Sequence, residues 1–427
     1  MSSIWSRSSG PGSLSIWTRA LQGIEFGDGT AKVMAGMTVK DMLLAAGERN
    51  LTIITGQDPD VGFGGWLAGA GHGPLTTIYG MGADQVVEME VVTARGEFLT
   101  INNHHHPDIF WAMRGVSPNN GLQRSSQLMI KGGGSTYAIM ISATVKTYPN
   151  IEVAILSHNY TTTPESEDFW NMLTTFHNEI PYLSDAGVMG YYYAFANLSA
   201  VIPNNPEIGI VSVTFLIAEK STSEAQAILL RMEKKFRSTT IIRDDKSVPN
   251  FSQAWAAFPP GSVGLNARLG SRLLDKKALA SSNLTSVLKT AMPKKDVRIL
   301  LGNLVAGRKP VNNAVLPAWR STYAHVIISK NWEIPSERDA SWRDLPQHTQ
   351  ALIDLAPDMG AYMSESDPSD PNWQQNYYGS NYPRLLAIKK KWDPQGVFWC
   401  KPCVGNELWS VSDGDGIGQN GGKLCRV

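Results

Sequence analysis

The feature that most constrains this chain is a glycine-rich run over residues 62–75. It reads Gly-Phe-Gly-Gly-Trp-Leu-Ala-Gly-Ala-Gly-His-Gly-Pro-Leu. Glycines at this density let backbone N–H groups approach a large flat or anionic ligand closely. A tight structural loop needs the same glycines, so the run alone does not decide between packing and binding. It is not a dinucleotide fingerprint, because a turn and a hairpin follow it, and no Gly-Lys-Ser/Thr follows to make a Walker loop.

Short strands and one helix are predicted around this run. Val86–Thr93 is strand-like, residues 94–97 form a turn and residues 98–100 return, so the segment is a predicted hairpin. Pro107 and Asp108 suit the first turn of a helix. Residues 137–148 alternate as a strand that ends at a proline. We therefore predict a first domain over residues 1–150.

The chain changes character after residue 150. Strand-like runs at 151–156 and 208–217 alternate with helical runs at 223–235 and 274–289. This alternation predicts a second domain, over residues 151–355, with helices on one face of an antiparallel sheet. The predicted fold class is therefore α+β.

The third region, residues 356–427, contains an Asp/Pro/Asn-rich loop at 364–380 and then a short helix, Tyr382–Trp392. The helix should bury its apolar side and leave the three lysines at 389–391 in solvent. Asp393 and Pro394 end it.

Charge and apolar patterning exclude two classes of partner. The chain has 38 basic and 38 acidic residues, without the basic excess typical of nucleic-acid binding. No stretch approaches the roughly 20 apolar residues of a membrane span. Residues 1–21 lack the pattern of a signal peptide, and the glycosylation sequons are as frequent as chance allows, so localisation stays open.

Metal and disulfide sites are not predicted. The three cysteines do not make a disulfide framework, and no second pair or nearby histidine supports a redox or a zinc role for the Cys400/Cys403 pair. The histidine tract at 104–106 lacks acidic or cysteine partners at chelate spacing.

Four separated segments together resemble one family. Residues 10–18 resemble the phosphate-side loop and strand of fungal FAD-linked oxidases, and residues 64–84 resemble their flavin-cradling segment. Residues 107–115 are similar to their "PDLFWALRG" helix, and residues 381–394 are similar to their "NYPRL…KKKYDP" motif. The chain is thus identified as a member of the berberine-bridge-enzyme-like group in the vanillyl-alcohol-oxidase-like superfamily.

The resemblance implies the architecture and the chemistry. It implies a PCMH-type FAD-binding domain at 1–150, a substrate domain at 151–355 that covers the flavin, and a C-terminal segment that returns to the FAD domain. A small secondary metabolite, either an alkaloid of ergot type as for chanoclavine synthases or a polyketide, would lose a hydride to FAD N5. Dioxygen would reoxidise the cofactor.

The resemblance also assigns candidate site residues. The candidate cofactor-binding residues are Gly12, Ser13, Gly64, Gly65, Gly69, Gly71, His72, Gly73, Tyr79, Asp84, Tyr378, Asn381 and Tyr382. The candidate catalytic bases are Tyr191 and Tyr193, because strand alternation turns them to one face and a tyrosine of lowered pKa is a suitable base. Core packing explains these tyrosines equally well.

The sequence departs from the family pattern in two respects. The flavin-linking histidine of the family would fall near Ser2, and its second, cysteine anchor near residues 57–60, so neither covalent link is expected. We also expect that the N-terminal flavin subdomain is missing. Residues 116–131 interrupt the pattern, either as a surface loop or as an unspliced intron that a faulty gene model translates in frame. A non-catalytic remnant and a flavin-free ligand-binding protein are the alternatives to an enzyme.

Overall fold

The fold is given by a computed structural model that describes residues 16–115, 136–202, 204–256, 267–292, 299–305, 307–332, 335–412 and 423–427. Gly12, Ser13 and the predicted insert at 116–131 lie outside the described residues.

The first part of the chain builds a five-stranded antiparallel sheet with the strand order β1-β2-β6-β4-β5. Its neighbours β3 and β7 form a separate two-stranded sheet. The predicted hairpin is confirmed as β4 and β5. The strands are β1 (Ile24–Gly27), β2 (Thr30–Met34), β3 (Leu51–Thr52), β4 (Val86–Thr93), β5 (Phe98–Asn102), β6 (Ala138–Lys146) and β7 (Tyr148–Pro149).

Four helices accompany this sheet: α1 (Val39–Gly47), α2 (Phe63–Ala68), α3 (Thr76–Tyr79) and α4 (Pro107–Ala112). Helix α4 begins at the predicted proline. Helix α2 was not predicted, because glycine is a poor helix former. Every residue of α2 is buried, so packing overrides this propensity.

The second part of the chain builds a seven-stranded antiparallel sheet with the order β11-β8-β10-β9-β13-β14-β12. Its strands are β8 (Val153–Thr162), β9 (Val188–Phe195), β10 (Gly209–Ala218), β11 (Thr240–Val248), β12 (Ala267–Asp275), β13 (Ile299–Leu304) and β14 (Thr322–Asn331). The antiparallel substrate-side sheet predicted from the sequence is therefore present.

The helices of this part are α5 (Glu167–Asp185), α6 (Thr222–Glu233), α7 (Phe251–Trp255), α8 (Lys276–Leu279), α9 (Leu284–Ala291) and α10 (Pro335–Leu355). Helices α5, α6 and α10 contact strands of the sheet and share one buried cluster with it, whereas α7 packs against α1 in the core of the first part. The helix predicted over 274–289 is wrong in part. Leu274 belongs to β12, and two short helices follow, the first capped by the Asp275 side chain.

The C-terminal segment contains α11 (Trp373–Tyr378), α12 (Tyr382–Trp392) and the strand pair β15 (Trp409–Ser412) and β16 (Lys423–Arg426). Helix α12 packs on α4 of the first part, and Lys391 Nζ lies 2.6 Å from Asp108 Oδ2. The segment thus contacts the part of the chain that precedes the large sheet.

Two expectations about this segment are wrong. Lys389 is not solvated: it is buried, donates to the Thr136 carbonyl and lies 2.5 Å from Asp393 Oδ2. Burial of a lysine requires such partners, and helical periodicity cannot reveal them. Cys400 and Cys403 form a disulfide, because the turn between them brings the two side chains together. Among the described helices, none is both long and apolar enough to cross a membrane.

Candidate functional site

A pocket lies between the glycine-rich run and the large sheet. The pocket is partly open to solvent. The first part of the chain contributes Gly56, Gln57, Asp58, Val61, Trp66 and His72. The sheet contributes Tyr191, Tyr192, Tyr193, Leu301, Gly302, Asn303 and Ile327, and the C-terminal segment contributes Tyr362 and Glu365. Three regions distant in sequence therefore converge on one space.

His72 is held in this pocket by the backbone before it. Ala70 and Gly71 both adopt left-handed conformations, with φ of 83° and 65°. Such a conformation is costly for alanine, so the surrounding structure must enforce it. The Trp66 indole N–H donates to the His72 carbonyl over 2.9 Å. The glycine-rich run thus fixes the backbone position from which the His72 side chain extends.

The imidazole of His72 pairs with the buried carboxylate of Glu365. Nε2 lies 3.2 Å from Oε1 and 3.3 Å from Oε2. The ring is enclosed by Tyr362, at a centroid distance of 5.0 Å, and by Trp319, at 5.9 Å. The surrounding aromatic rings and the hydrogen bond to Glu365 together fix the orientation of the His72 ring.

Burial and charge set the ionisation of the acid and of its second neighbour, His325. Burial acts to raise the pKa of Glu365, but the charge and hydrogen bond of His72 act against it, and the pKa falls to about 2. Burial lowers the pKa of His325 to about 3. At neutral pH the cluster therefore contains an ionised Glu365 and a neutral His325.

His72, His325 and Glu365 can offer one ligand atom each to a cation, since these atoms lie within 4.8 Å of one another. Metal-binding histidines nearly always donate their other N–H to a second-shell partner. Neither His72 Nδ1 nor His325 Nε2 has a hydrogen-bond partner in the part of the chain that the structure describes. The cluster therefore lacks the support that a metal site has.

The tyrosines of β9 alternate as predicted. Tyr191 and Tyr193 line the pocket, whereas the Tyr192 hydroxyl lies 2.7 Å from His177 Nε2 on α5, behind the sheet. The pKa of Tyr191 and that of Tyr193 are raised, first by burial and then by the charge of Glu365. The expectation that a tyrosine here has the lowered pKa of a base is therefore wrong, because both hydroxyls are buried beside the Glu365 carboxylate.

The glycines of the run differ in position. Gly64 and Gly65 lie within α2 and Gly69 caps it. A side chain on Gly71 would meet the Trp66 ring at 2.8 Å, and one on Gly73 would strike the Thr55 carbonyl. Close packing of the chain against itself thus accounts for Gly71 and Gly73.

The remaining predicted cofactor residues do not line the pocket. Tyr79 stacks near Tyr148, with ring centroids 4.1 Å apart. The carboxylate of Asp84 is bound by Arg320. Tyr378 donates to the Pro402 carbonyl, Asn381 donates to the carbonyls of residues 314 and 315, and Tyr382 donates to Glu407.

Sequence reasoning missed Gln57 and Asp58 of the pocket, whereas it predicted His72 as a cofactor contact. Within the pocket, Gln57 Nε2, Asp58 Oδ2 and His72 Nδ1 are buried and have no hydrogen-bond partner among the described residues. Buried polar atoms rarely stay unpaired, so a polar bound group is expected here. A flavin ring, which is flat and carries both donors and acceptors, fits this set.

Comparisons with known proteins agree with this arrangement. The FAD binding domain family model matches residues 2–102, and the berberine and berberine-like model matches residues 361–405. An FAD-linked oxidoreductase of Arthroderma benhamiae, itself uncharacterized, is 31% identical over 94% of this chain and 71% of its own length. The FAD-linked oxidoreductase patO of Aspergillus clavatus is 30% identical over 99% of this chain and 72% of its own.

Solved structures share the fold. The VAO-type flavoprotein MtVAO713 from Myceliophthora thermophila C1 superposes with a TM-score of 0.81 and 27% identity, over 93% of this chain and 69% of that one. The fold class predicted from the sequence is therefore confirmed, as are the cofactor class and the family resemblance. This chain belongs to the berberine-bridge-enzyme-like family of FAD-linked oxidoreductases.

Proposed function

We propose that the chain oxidises a small secondary metabolite, an alkaloid or a polyketide, with FAD bound at the pocket and dioxygen as the final electron acceptor. The observation that carries this proposal is the meeting of His72, from the flavin-cradling segment, with Tyr191, from the large sheet, in one pocket. Their ring centroids lie 6.4 Å apart. A cofactor held by the first part of the chain would therefore meet a substrate held by the second.

We infer that the polar atoms without partners hold the flavin ring. Gln57 would donate to it from Nε2, and Asp58 would contact it through a side-chain oxygen. Gly12 and Ser13 remain candidates for the phosphate side. Gly64, Gly65, Gly69, Gly71 and Gly73 would serve by shaping the loop. The boundaries proposed near residues 150 and 355 separate these parts from the substrate side.

The chain's own residues would orient the substrate and exclude water. Tyr191, Tyr193 and Ile327 offer aromatic and apolar surface to a small organic molecule. The buried walls make electrostatic interactions inside the pocket stronger than in water. FAD, when bound, supplies the oxidant by accepting a hydride at N5.

Titration of FAD into the purified chain tests the cofactor part of the proposal. We expect Gln57→Leu to weaken FAD binding about tenfold, because one hydrogen bond of roughly 1.4 kcal/mol is lost. Gln375→Leu, at an exposed position outside the pocket, is the matched control and should bind as the parent does. Equal binding by both variants would remove Gln57 from the site.

Anaerobic mixing with alkaloid and polyketide alcohols tests the reaction. Bleaching of the flavin bands under nitrogen, and their return when air is admitted, is the expected result. A folded chain that takes up no FAD but binds such molecules would instead be a flavin-free ligand-binding protein.

A further inference from the structure

We propose that His72, oriented by Glu365, is the base that accepts the hydroxyl proton of an alcohol substrate. This inference rests on the proposed function and names the chemical class of its substrate. His72 thus takes the role of proton acceptor that the sequence suggested for Tyr191 and Tyr193, and these two residues line the pocket.

The carboxylate decides which nitrogen of His72 carries the proton. A carboxylate only accepts hydrogen bonds, and both oxygens of Glu365 lie within 3.3 Å of Nε2. The proton of a neutral imidazole therefore resides on Nε2, and Nδ1 keeps its lone pair. His72 lines the pocket, and Nδ1 is buried without a partner among the described residues. Nδ1 is thus the nitrogen left to meet a bound hydroxyl group.

Because Glu365 is ionised, its hydrogen bond to His72 makes the imidazole a stronger base. A carboxylate hydrogen-bonded to a histidine stabilises the imidazolium that forms when the ring takes a proton. The titratable groups that face this pair are His325 from β14, Tyr191 and Tyr193 from β9, Tyr362 from the C-terminal segment and Asp58 from the first part. His325 is neutral, and the tyrosines keep their protons because burial raises the pKa of Tyr191 and Tyr193.

Several independent contacts fix the position of His72. The left-handed Ala70 and Gly71, the indole hydrogen bond to the His72 carbonyl and the ring stack with Trp319 each restrict a different degree of freedom. Backbone strain of this kind concentrates where a side chain must be held in place.

The substrate hydroxyl gives its proton to His72 Nδ1, and the adjacent carbon gives a hydride, with both electrons of its C–H bond, to FAD. The C–O single bond becomes a carbonyl. The substrate is oxidised by two electrons, the cofactor is reduced by two, and His72 later returns its proton to solvent.

Two readouts that need no turnover test this proposal. Nitrogen NMR of histidine-labelled protein, assigned with His72→Gln, reports which ring nitrogen is protonated. At a pH where His72 is neutral, we expect the Nε2–H form in the parent and a mixture of both forms in Glu365→Gln, whose amide can donate as well as accept. Protonation of neutral His72 on Nδ1 in the parent would overturn the proposal.

The second readout uses 4-nitrophenol, a phenol whose yellow anion reports loss of its hydroxyl proton. We expect bound 4-nitrophenol to ionise more readily in the parent than in His72→Gln, by about tenfold or one pKa unit, because only the parent has the ring that accepts its proton. His104→Gln, at an exposed position, is the control and should behave as the parent does. Equal ionisation of bound 4-nitrophenol in the parent and in His72→Gln would overturn the proposal.

The proposed function and the proposed role of His72 as a base can be refuted independently. A parent protein that takes no FAD contradicts the proposed function, whereas the tautomer and the nitrophenol shift are measured without FAD. If FAD binds and is reduced by alcohols at the same rate and with the same pH profile in His72→Gln, the function stands and the base is another group.

Discussion

The guanidinium group of Arg320 forms a bidentate ion pair with the carboxylate of Asp84. Nη1 lies 2.7 Å from Oδ2 and Nη2 lies 2.9 Å from Oδ1, across 236 residues of sequence. Asn313 Nδ2 adds a third bond to the same carboxylate at 2.6 Å. This ion pair fastens the segment after the glycine-rich run to the segment before β14.

Removal of Arg320 should be costly. Arg320→Ala leaves a carboxylate that is nearly fully buried without its counter-charge, which typically destabilises a protein by about 3–5 kcal/mol. Arg308→Ala breaks a pair with Asp185 that is much more exposed, and should cost at most about 1 kcal/mol. Urea denaturation of the two variants measures both values, and similar costs would show that Asp84 is not anchored by Arg320.

Gly71 offers a second test, because both backbone and space forbid a side chain there. Gly71→Val must hold a branched residue at positive φ and also displace the Trp66 ring, which should cost several kcal/mol and abolish flavin retention. Gly29→Val is the matched control, since Gly29 has φ of 63° and open space around its missing side chain. Flavin content after gel filtration decides the matter. Unchanged content in a folded Gly71→Val protein would take this loop out of the site.

Acid should weaken the fold through its buried histidines. Burial lowers the pKa of His325 from 6.5 to about 3, so between these values the unfolded chain binds a proton that the folded chain does not. Stability therefore falls as the pH falls through this window, by up to about 1.4 kcal/mol per pH unit for each such group. The lowered pKa of Glu365 acts in the same direction between pH 4.5 and about 2.

Urea midpoints at pH 7 and pH 5 measure this effect. His325→Gln removes one of the titrating groups and should lose less stability on acidification than the parent. His177, whose pKa is lowered by burial to about 4, keeps part of the dependence in the variant. A parent that becomes more stable at pH 5, or a variant that responds as the parent does, would contradict the account.

Local patterns in the sequence predicted the elements, but not the pocket. The hairpin of β4 and β5, the proline at the start of α4 and the apolar side of α12 depend on neighbours within a few residues, so periodicity and turn chemistry suffice. The pairing of His72 with Glu365 spans 293 residues, and no local rule connects them. Glu365 lies within the Asp/Pro/Asn-rich segment at 364–380, where an acidic residue does not stand out in the sequence.

The same limit explains the errors within the pocket. Alternation predicted that Tyr191 and Tyr193 share a face, which is a local property of β9. Their raised pKa values depend on burial and on the charge of Glu365, both of which come from tertiary structure. The helical conformation of Gly64 and Gly65 depends in the same way on packing around α2.

The visible absorption spectrum of the purified chain, recorded after incubation with FAD and gel filtration, tests the central claim most directly. The account predicts that the flavin bands elute with the folded protein and bleach when an alcohol substrate is added under nitrogen. A folded protein that elutes colourless after this treatment would contradict it.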